Sequence, residues 1–201
     1  MAAGTVEQLM GQLPVAPGDV VFVPAGTLHA INAGIVLFEI QQKSDLTYRV
    51  YDYGRRDAKT GQPRELHLAK ALDVSSFAPA PGGKVAPLTL TPGRDLLVAC
   101  DYFALERWHG AVPRRWQTDP GSFEILTLIE GAGKLGWSGQ TMALAQGDSV
   151  VLPASLGDWV LAPAGPALTF LRAYVPDLDN LAAEAYRAAR DERRVEEVVR
   201  R

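Results

Sequence analysis

One cysteine in 201 residues, Cys100, excludes an internal disulfide, so the fold must be held by its core. The same scarcity makes a reducing compartment, the cytoplasm, the expected location. Long apolar runs are also missing. The run at 35–38 is among the longest, far short of the ~20 residues that a membrane-crossing helix needs. The opening MAAGTVEQLMGQLPV has neither the basic flank nor the apolar stretch of a signal peptide. A net charge of -3, with no basic stripe interleaved with aromatics, gives no basis for binding nucleic acid or an anionic membrane. No Gly-x4-Gly-Lys-Ser/Thr occurs, which removes that kind of phosphate loop.

What is present is a 47% hydrophobic chain rich in Gly (19) and Pro (14). Turn signals at Pro17-Gly18-Asp19, Pro24-Ala25-Gly26, Asn32-Ala33-Gly34, Gln146-Gly147-Asp148 and Pro163-Ala164-Gly165 separate short apolar runs. The runs at 20–23, 35–40, 123–129, 149–152 and 167–174 have strand length and strand composition. Many short strands between Gly/Pro turns predict a sandwich or small barrel. Gly131-Ala132-Gly133-Lys134 reads as a hairpin turn between two of them. Helices are expected at 6–13, ambiguously at 64–72, and at 178–201, where Leu181, Ala185, Ala189, Val195, Val198 and Val199 form an apolar stripe. The run Ser75 to Pro87, SSFAPAPGGKVAP, has no apolar period and reads as a linker.

A repeat organises the chain. Gly18, Pro24, Ala25, Gly26 and His29 recur as Gly147, Pro153, Ala154, Ser155 and Asp158, each pair offset by 129 positions. Gly-Asp makes a tight turn into a strand, and Pro ends that strand because it has no N–H to give. The third residue after the small residue that turns the chain is expected to open the next strand with its side chain inward. That side chain is imidazole in the first copy and carboxylate in the second.

The repeated block resembles the second conserved block of the cupin superfamily. The stretch 18–31 is followed by Glu39-Ile40-Gln41-Gln42, by Asp45-Leu46-Thr47-Tyr48-Arg49-Val50-Tyr51-Asp52-Tyr53 and by Arg64-Glu65-Leu66-His67-Leu68. Together these resemble the short, two-cupin bacterial type I mannose-6-phosphate isomerases, strongly over 6–74 and more loosely beyond. The resemblance implies an all-β chain of two cupin-type jelly-roll units, the first incomplete, with a C-terminal α-helix. It implies that residues 1–76 are the C-terminal part of a catalytic, metal-binding cupin, 77–87 a linker, 88–176 a second, metal-free cupin and 177–201 the helix. It also implies a zinc-dependent interconversion of mannose 6-phosphate and fructose 6-phosphate through an enediol. His29 would be a zinc ligand and Arg49 the catalytic arginine.

If residues 46–53 form a strand, Arg49 shares a face with Thr47, Tyr51 and Tyr53. Tyr51 is then a candidate substrate contact. Glu39, alternating with Ile35 and Leu37, is a second candidate, with a salt bridge to Arg49 as its other reading. A catalytic zinc needs three protein ligands. The family supplies a His and a Glu from strands before the Gly18 block, whereas the 17 residues preceding Gly18 contain no His, and Glu7 sits on an expected helix. His67 and His109 have no partner at ligand spacing and read as surface or satisfied core histidines. Arg55-Arg56 reads as solvated, with contact to a sugar phosphate as the alternative. The expectation is thus an N-terminally truncated isomerase that by itself binds zinc weakly and turns over little. The competing expectation is a non-catalytic sugar-binding or structural cupin that completes its barrel by self-association through an open edge.

Overall fold

The computed structural model describes residues 6–44, 46–77 and 83–200, and these divide into two compact units. The first comprises Met1–Glu39 and Lys43–Lys84, the second Ile40–Gln42 and Val85–Arg201. The linker expected at 77–87 lies partly outside the described residues, and its described part holds a two-residue strand, Lys84–Val85, with Val85 buried.

In the first unit the chain runs through α1 (Val6–Leu9), β1 (Val20–Val21) and α2 (Leu68–Val74) to β2 (Lys84–Val85), where it passes into the second unit. Regular structure is sparse. The strand expected at 20–23 is two residues long, and no strand forms at 35–40 or at the described residues of 46–53. The helices are shorter or displaced relative to 6–13 and 64–72. In the second copy the strand after Gly147-Asp148 is four residues long and paired to residues 124–127, whereas the strand after Gly18-Asp19 is two residues long.

The second unit is a two-sheet antiparallel β structure. Its strands are β3 (Leu88–Thr91), β4 (Arg94–Ala99), β5 (Ala104–Gly110), β6 (Arg114–Gln117), β7 (Glu124–Glu130), β8 (Ala132–Trp137), β9 (Gln140–Ala145), β10 (Ser149–Leu152), β11 (Asp158–Pro163) and β12 (Leu168–Tyr174). Six form one sheet in the order β10-β7-β12-β5-β4-β3, and four form the other, β6-β11-β8-β9. Gly131 therefore turns a corner between sheets, since β7 and β8 belong to different ones, and is not the hairpin tip expected from sequence.

Alternation along β3 and β6 leaves one face outward, whereas β4 and β12 are buried on both faces. Leu126 and Leu128 of β7, Leu135 of β8, Leu152 of β10, Trp159 and Leu161 of β11 and Leu168 and Phe170 of β12 make one core with Trp108 of β5. Its centre is aromatic. Trp116 stacks on Trp159 with ring centres 4.5 Å apart, and Trp108 meets Trp116 edge-on at 5.3 Å. Such pairs add roughly 1 kcal/mol each to the area they bury.

Farther along the same strand faces, apolar side chains give way to charge. Glu106, two residues from Trp108 and fully buried, accepts hydrogen bonds from Arg94 Nη2 (2.6 Å) and Nε (3.1 Å), Trp108 Nε1 (2.8 Å) and the Tyr174 hydroxyl (2.7 Å). Arg172 pairs with buried Glu124 at 2.7 and 2.8 Å. Burial alone would raise the Glu106 carboxyl, but hydrogen bonds and charge from Arg94, with Arg172 behind it, hold it below the ordinary carboxylate range.

The helix expected at 178–201 is two helices. In α3 (Leu178–Ala189) the first turn is capped by Asp177, which accepts from Asn180 N–H (3.1 Å). Arg190 then takes a left-handed conformation (φ 54°), and Asp191 caps α4 (Glu192–Val198). The break turns the chain back to the sheet. Val198 and Val199 are buried, and Arg200 N–H donates to Ala99 O at 2.8 Å. On α3, Glu184 accepts from Arg94 Nη1 at 2.5 Å, tying the helix to the buried charges.

Candidate functional site

The two copies of the repeat build the same turns. Asp19 N–H donates to Ala16 O (3.1 Å) while Ala16 N–H donates to Asp19 Oδ2 (2.7 Å). In the second copy Asp148 N–H donates to Ala145 O (3.0 Å) and Ala145 N–H to Asp148 Oδ2 (2.8 Å). Gly18 and Gly147 hold φ of 91° and 93°, a region that side-chain-bearing residues avoid. The following Pro turn also recurs, Thr27 N–H to Pro24 O (3.2 Å) matching Leu156 N–H to Pro153 O (2.9 Å). Only the first copy needs a glycine at its third position. A Cβ on Gly26 would stand 2.7 Å from Val74 O, where the chain leaving α2 crosses the turn, and Ser76 N–H donates to Gly26 O.

The copies diverge at the residue after these turns. Asp158 opens β11, as expected, but its side chain is exposed, and Trp159 is the one that enters the core. The expected inward carboxylate of the second copy is therefore corrected. His29, its counterpart, is exposed and lies outside any strand. Its Nδ1 is 2.9 Å from Thr27 O. A carbonyl oxygen can only accept, so Nδ1 carries the proton, and in the neutral ring Nε2 keeps its lone pair. That is the tautomer in which a histidine offers Nε2 to a metal. The remaining ligands are not supplied: among the described residues no group of three His, Cys, Asp or Glu could hold a metal ion. These residues alone do not fit a zinc site, and no chemical step is assigned to one.

Arg49 has a more developed setting. Asp52, 9% exposed, receives Arg64 through both oxygens, from Nε to Oδ2 at 2.7 Å and from Nη2 to Oδ1. Arg49 Nε lies 3.7 Å from the same Oδ1, and Arg49 Nη1 donates to Glu65 O (3.3 Å). Arg49 N–H donates to His67 Nδ1 (3.1 Å), and His67 N–H returns a bond to Arg49 O (2.8 Å). The Arg64 hydrogen bond, reinforced by both guanidinium charges, holds the Asp52 carboxyl below its usual range. Two arginines thus share the Asp52 carboxylate, and Asp57 adds a second negative charge acting on Arg64.

Local sequence explains this meeting. Tyr53 and Gly54, both at positive φ, make a turn closed by Arg55 N–H to Asp52 O (2.9 Å). Asp57 Oδ1 accepts from Lys59 and Thr60 N–H, and Asp57 N–H donates to Gln62 O. The chain doubles back, so Arg64 through His67 lie beside Arg49 through Asp52.

Tyr51 is half-buried, with its ring centre 4.9 Å from that of Tyr53. Glu39 is exposed, and since 35–40 is not a strand the alternation that would aim it into a barrel does not apply. The carboxylate beside Arg49 is that of Asp52, which replaces the expected Glu39 pairing. Asp45 lies outside the described residues. Arg55 sits over the Tyr53 ring at 5.4 Å, and Arg56 Nη1 donates to Gly61 O. Of the other histidines, His67 is half-buried and bonded as above. His109 is exposed with Nδ1 3.0 Å from Thr169 Oγ1, which in turn donates to Glu130.

The aromatic core of the second unit is nearly filled. Between Trp108, Trp116, Leu161, Leu168 and Phe170 only about 10 Å³ remains, space for one water at most. Arg94 and Arg114 both stand 5.2 Å from the centre of the Trp108 ring.

This filled unit is also where the chain meets a known family model. Residues 94–167 match the mannose-6-phosphate isomerase cupin domain. Beyond it, the chain is 37% identical over 161 residues to the putative mannose-6-phosphate isomerase YvyI of Bacillus subtilis strain 168. It is 35% identical over 162 residues to the mannose-6-phosphate isomerase of Streptococcus mutans serotype c. Over the matched residues the chain resembles the cupin-type mannose-6-phosphate isomerases. Each of these matches covers 79% of this chain and 50% of the relative, so the chain spans about half the length of the curated relatives it matches. The crystal structure of the Bacillus subtilis mannose 6-phosphate isomerase superposes with a TM-score of 0.54 at 32% identity, over 65% of this chain and 40% of that one. The β-rich jelly-roll expected from sequence agrees with this family. Among the described residues no helix is long and apolar enough to cross a membrane.

Asp52, Arg64 and His67 escape a reading of the sequence by motif alone, in which they appear only as part of the resemblance. The signal that finds them is the Asp57-to-Gly61 turn, which folds 64–67 back on 49–52.

Proposed function

We propose that this protein is part of a mannose-6-phosphate isomerase site, in which Arg49 faces the phosphorylated sugar and His29 contributes one ligand to a metal whose other ligands lie outside the described residues. Substrate contacts at Glu39 and Tyr51 belong to the same proposal. The observation that carries it is the Arg49–Asp52–Arg64 cluster, which holds Arg49 half-exposed beside a shared carboxylate, in a chain 35–37% identical to proteins of that name. In aldose–ketose interconversion a proton moves between C1 and C2, and the enediolate that forms carries negative charge on oxygen. A guanidinium fixed in place favours that anion over either neutral sugar.

Three ligands are required for a catalytic zinc, so the 201-residue chain is expected to hold zinc weakly and to turn over little. The test is a coupled assay for fructose 6-phosphate with zinc present, run on this chain and on the chain joined behind the N-terminal half of the Streptococcus mutans enzyme. The joined protein should interconvert the two sugars, and Arg49→Ala should lower that activity by about 10²-fold or more. Activity indifferent to Arg49→Ala overturns the role of Arg49. Clear activity in the chain alone, abolished by Arg49→Ala, overturns the expected shortage of ligands. A structural, self-associating cupin remains the reading if the joined protein folds and never turns over.

A further inference from the structure

The Arg49 guanidinium is held along one edge. Nη1 donates to the Glu65 carbonyl, and Nε faces the Asp52 oxygen that Arg64 also grips. Nη2 has no partner among the described residues, while the side chain as a whole is 28% exposed. Everything that restrains this arginine from across the hairpin comes from one short segment: Arg64 through Asp52, Glu65 through its carbonyl, and His67 through its ring and its N–H.

The His67 contact is unusual chemically. A backbone N–H ordinarily donates to a backbone carbonyl, but here an imidazole nitrogen takes the carbonyl's place. Because an N–H cannot accept, Nδ1 must present its lone pair. Loss of that acceptor would leave the Arg49 N–H without its partner, at the residue whose side chain has to be aimed.

We infer that Asp52 and His67 are positioning residues for Arg49, and that the segment 64–67 is a brace presenting the Nη2 edge of the guanidinium to an anionic oxygen of the substrate. The brace fixes the arginine in two independent ways. Asp52 orients the side chain by charge, with Arg64 preventing the carboxylate from closing fully around Arg49. His67 fixes the backbone from which that side chain springs. Pre-organisation of this kind favours binding by removing rotamer freedom before the ligand arrives. The inference rests on the sugar-phosphate reading of Arg49, but its restraint on the arginine can be measured without any sugar.

The experiment is nitrogen-15 NMR of the arginine Nε–Hε groups in the full chain, first free and then titrated with mannose 6-phosphate. In the free protein, Asp52→Asn should drop the Arg49 heteronuclear Overhauser effect to the level of an exposed arginine, and Asp52→Glu should restore part of it. His67→Leu should broaden or shift the Arg49 amide signal, whereas His67→Asn, which keeps an acceptor near the Nδ1 position, should retain it. On titration, Asp52→Asn should weaken binding about tenfold, the loss expected for one charge-assisted contact. Unchanged Arg49 order in both Asp52→Asn and His67→Leu overturns the brace, whatever the sugar does. Normal restraint with no response of Arg49 to the sugar leaves the brace standing and refutes the substrate reading instead. Should Asp52→Asn fail to fold, the His67→Leu and His67→Asn pair decides the matter alone.

Discussion

The two copies of the repeat agree in their turns and disagree in almost everything built between them. Ala16-to-Asp19 and Ala145-to-Asp148 make the same pair of hydrogen bonds, and the two glycines differ by 2° in φ. Yet the second copy delivers its chain into two sheets around four aromatic rings, and the first delivers it into two residues of strand. The difference separates what a short stretch of sequence can specify by itself from what needs a partner. A Gly-Asp turn closes its hydrogen bonds within four residues. A strand closes its own only when another strand lies alongside.

The side chains proposed for the site divide the opposite way. The better-ordered second unit has packed its interior with Trp108, Trp116, Trp159 and Phe170, leaving space for a single water. The first unit, with little regular structure, carries the guanidinium with an open edge and the histidine with a free lone pair.

The comparison can be broken most forcefully at the aromatic core. Trp159→Ala should cost about 3–5 kcal/mol in the denaturation of the second unit. All four tryptophans belong to that unit, so their fluorescence follows it separately. Next comes the buried charge at Glu106. Its carboxyl is held below the ordinary value in the fold, so its contribution is complete above that value and is lost as the pH falls through the lowered one. Glu106→Gln should lower stability at neutral pH by about 3 kcal/mol and flatten the acid limb of a Tm-versus-pH curve. A smaller effect tests the likeness of the turns. Gly18→Ala and Gly147→Ala should each cost about 1 kcal/mol, read as faster hydrogen exchange in the local turn. Unequal effects would show that the shared geometry is maintained by different forces. The smallest is Asp148→Ala, which should accelerate exchange of the Ala145 amide while leaving that of Ala16 alone.

Much of the second unit was legible beforehand. The runs 149–152 and 167–174 became β10 and β12 because strand length, apolar composition and Gly/Pro punctuation report a strand. The single helix expected at 178–201 failed at Arg190-Asp191, where an aspartate able to cap a new helix allowed the chain to turn back. In the first unit the runs 20–23 and 35–40 have strand composition, but composition reports willingness to pair and nothing about the availability of a partner. The candidate site was legible in part. Arg49 and His29 emerged from the resemblance, but Asp52, Arg64 and His67 depend on how a hairpin folds back, which spacing alone does not declare.

The most direct measurement is to titrate the nitrogen-15-labelled chain with mannose 6-phosphate while following every arginine Nε–Hε group. A response centred on Arg49 and Arg64, with Arg94 and Arg172 unmoved, is the result this account predicts. A response at Arg94 or Arg172 with Arg49 unchanged would contradict it.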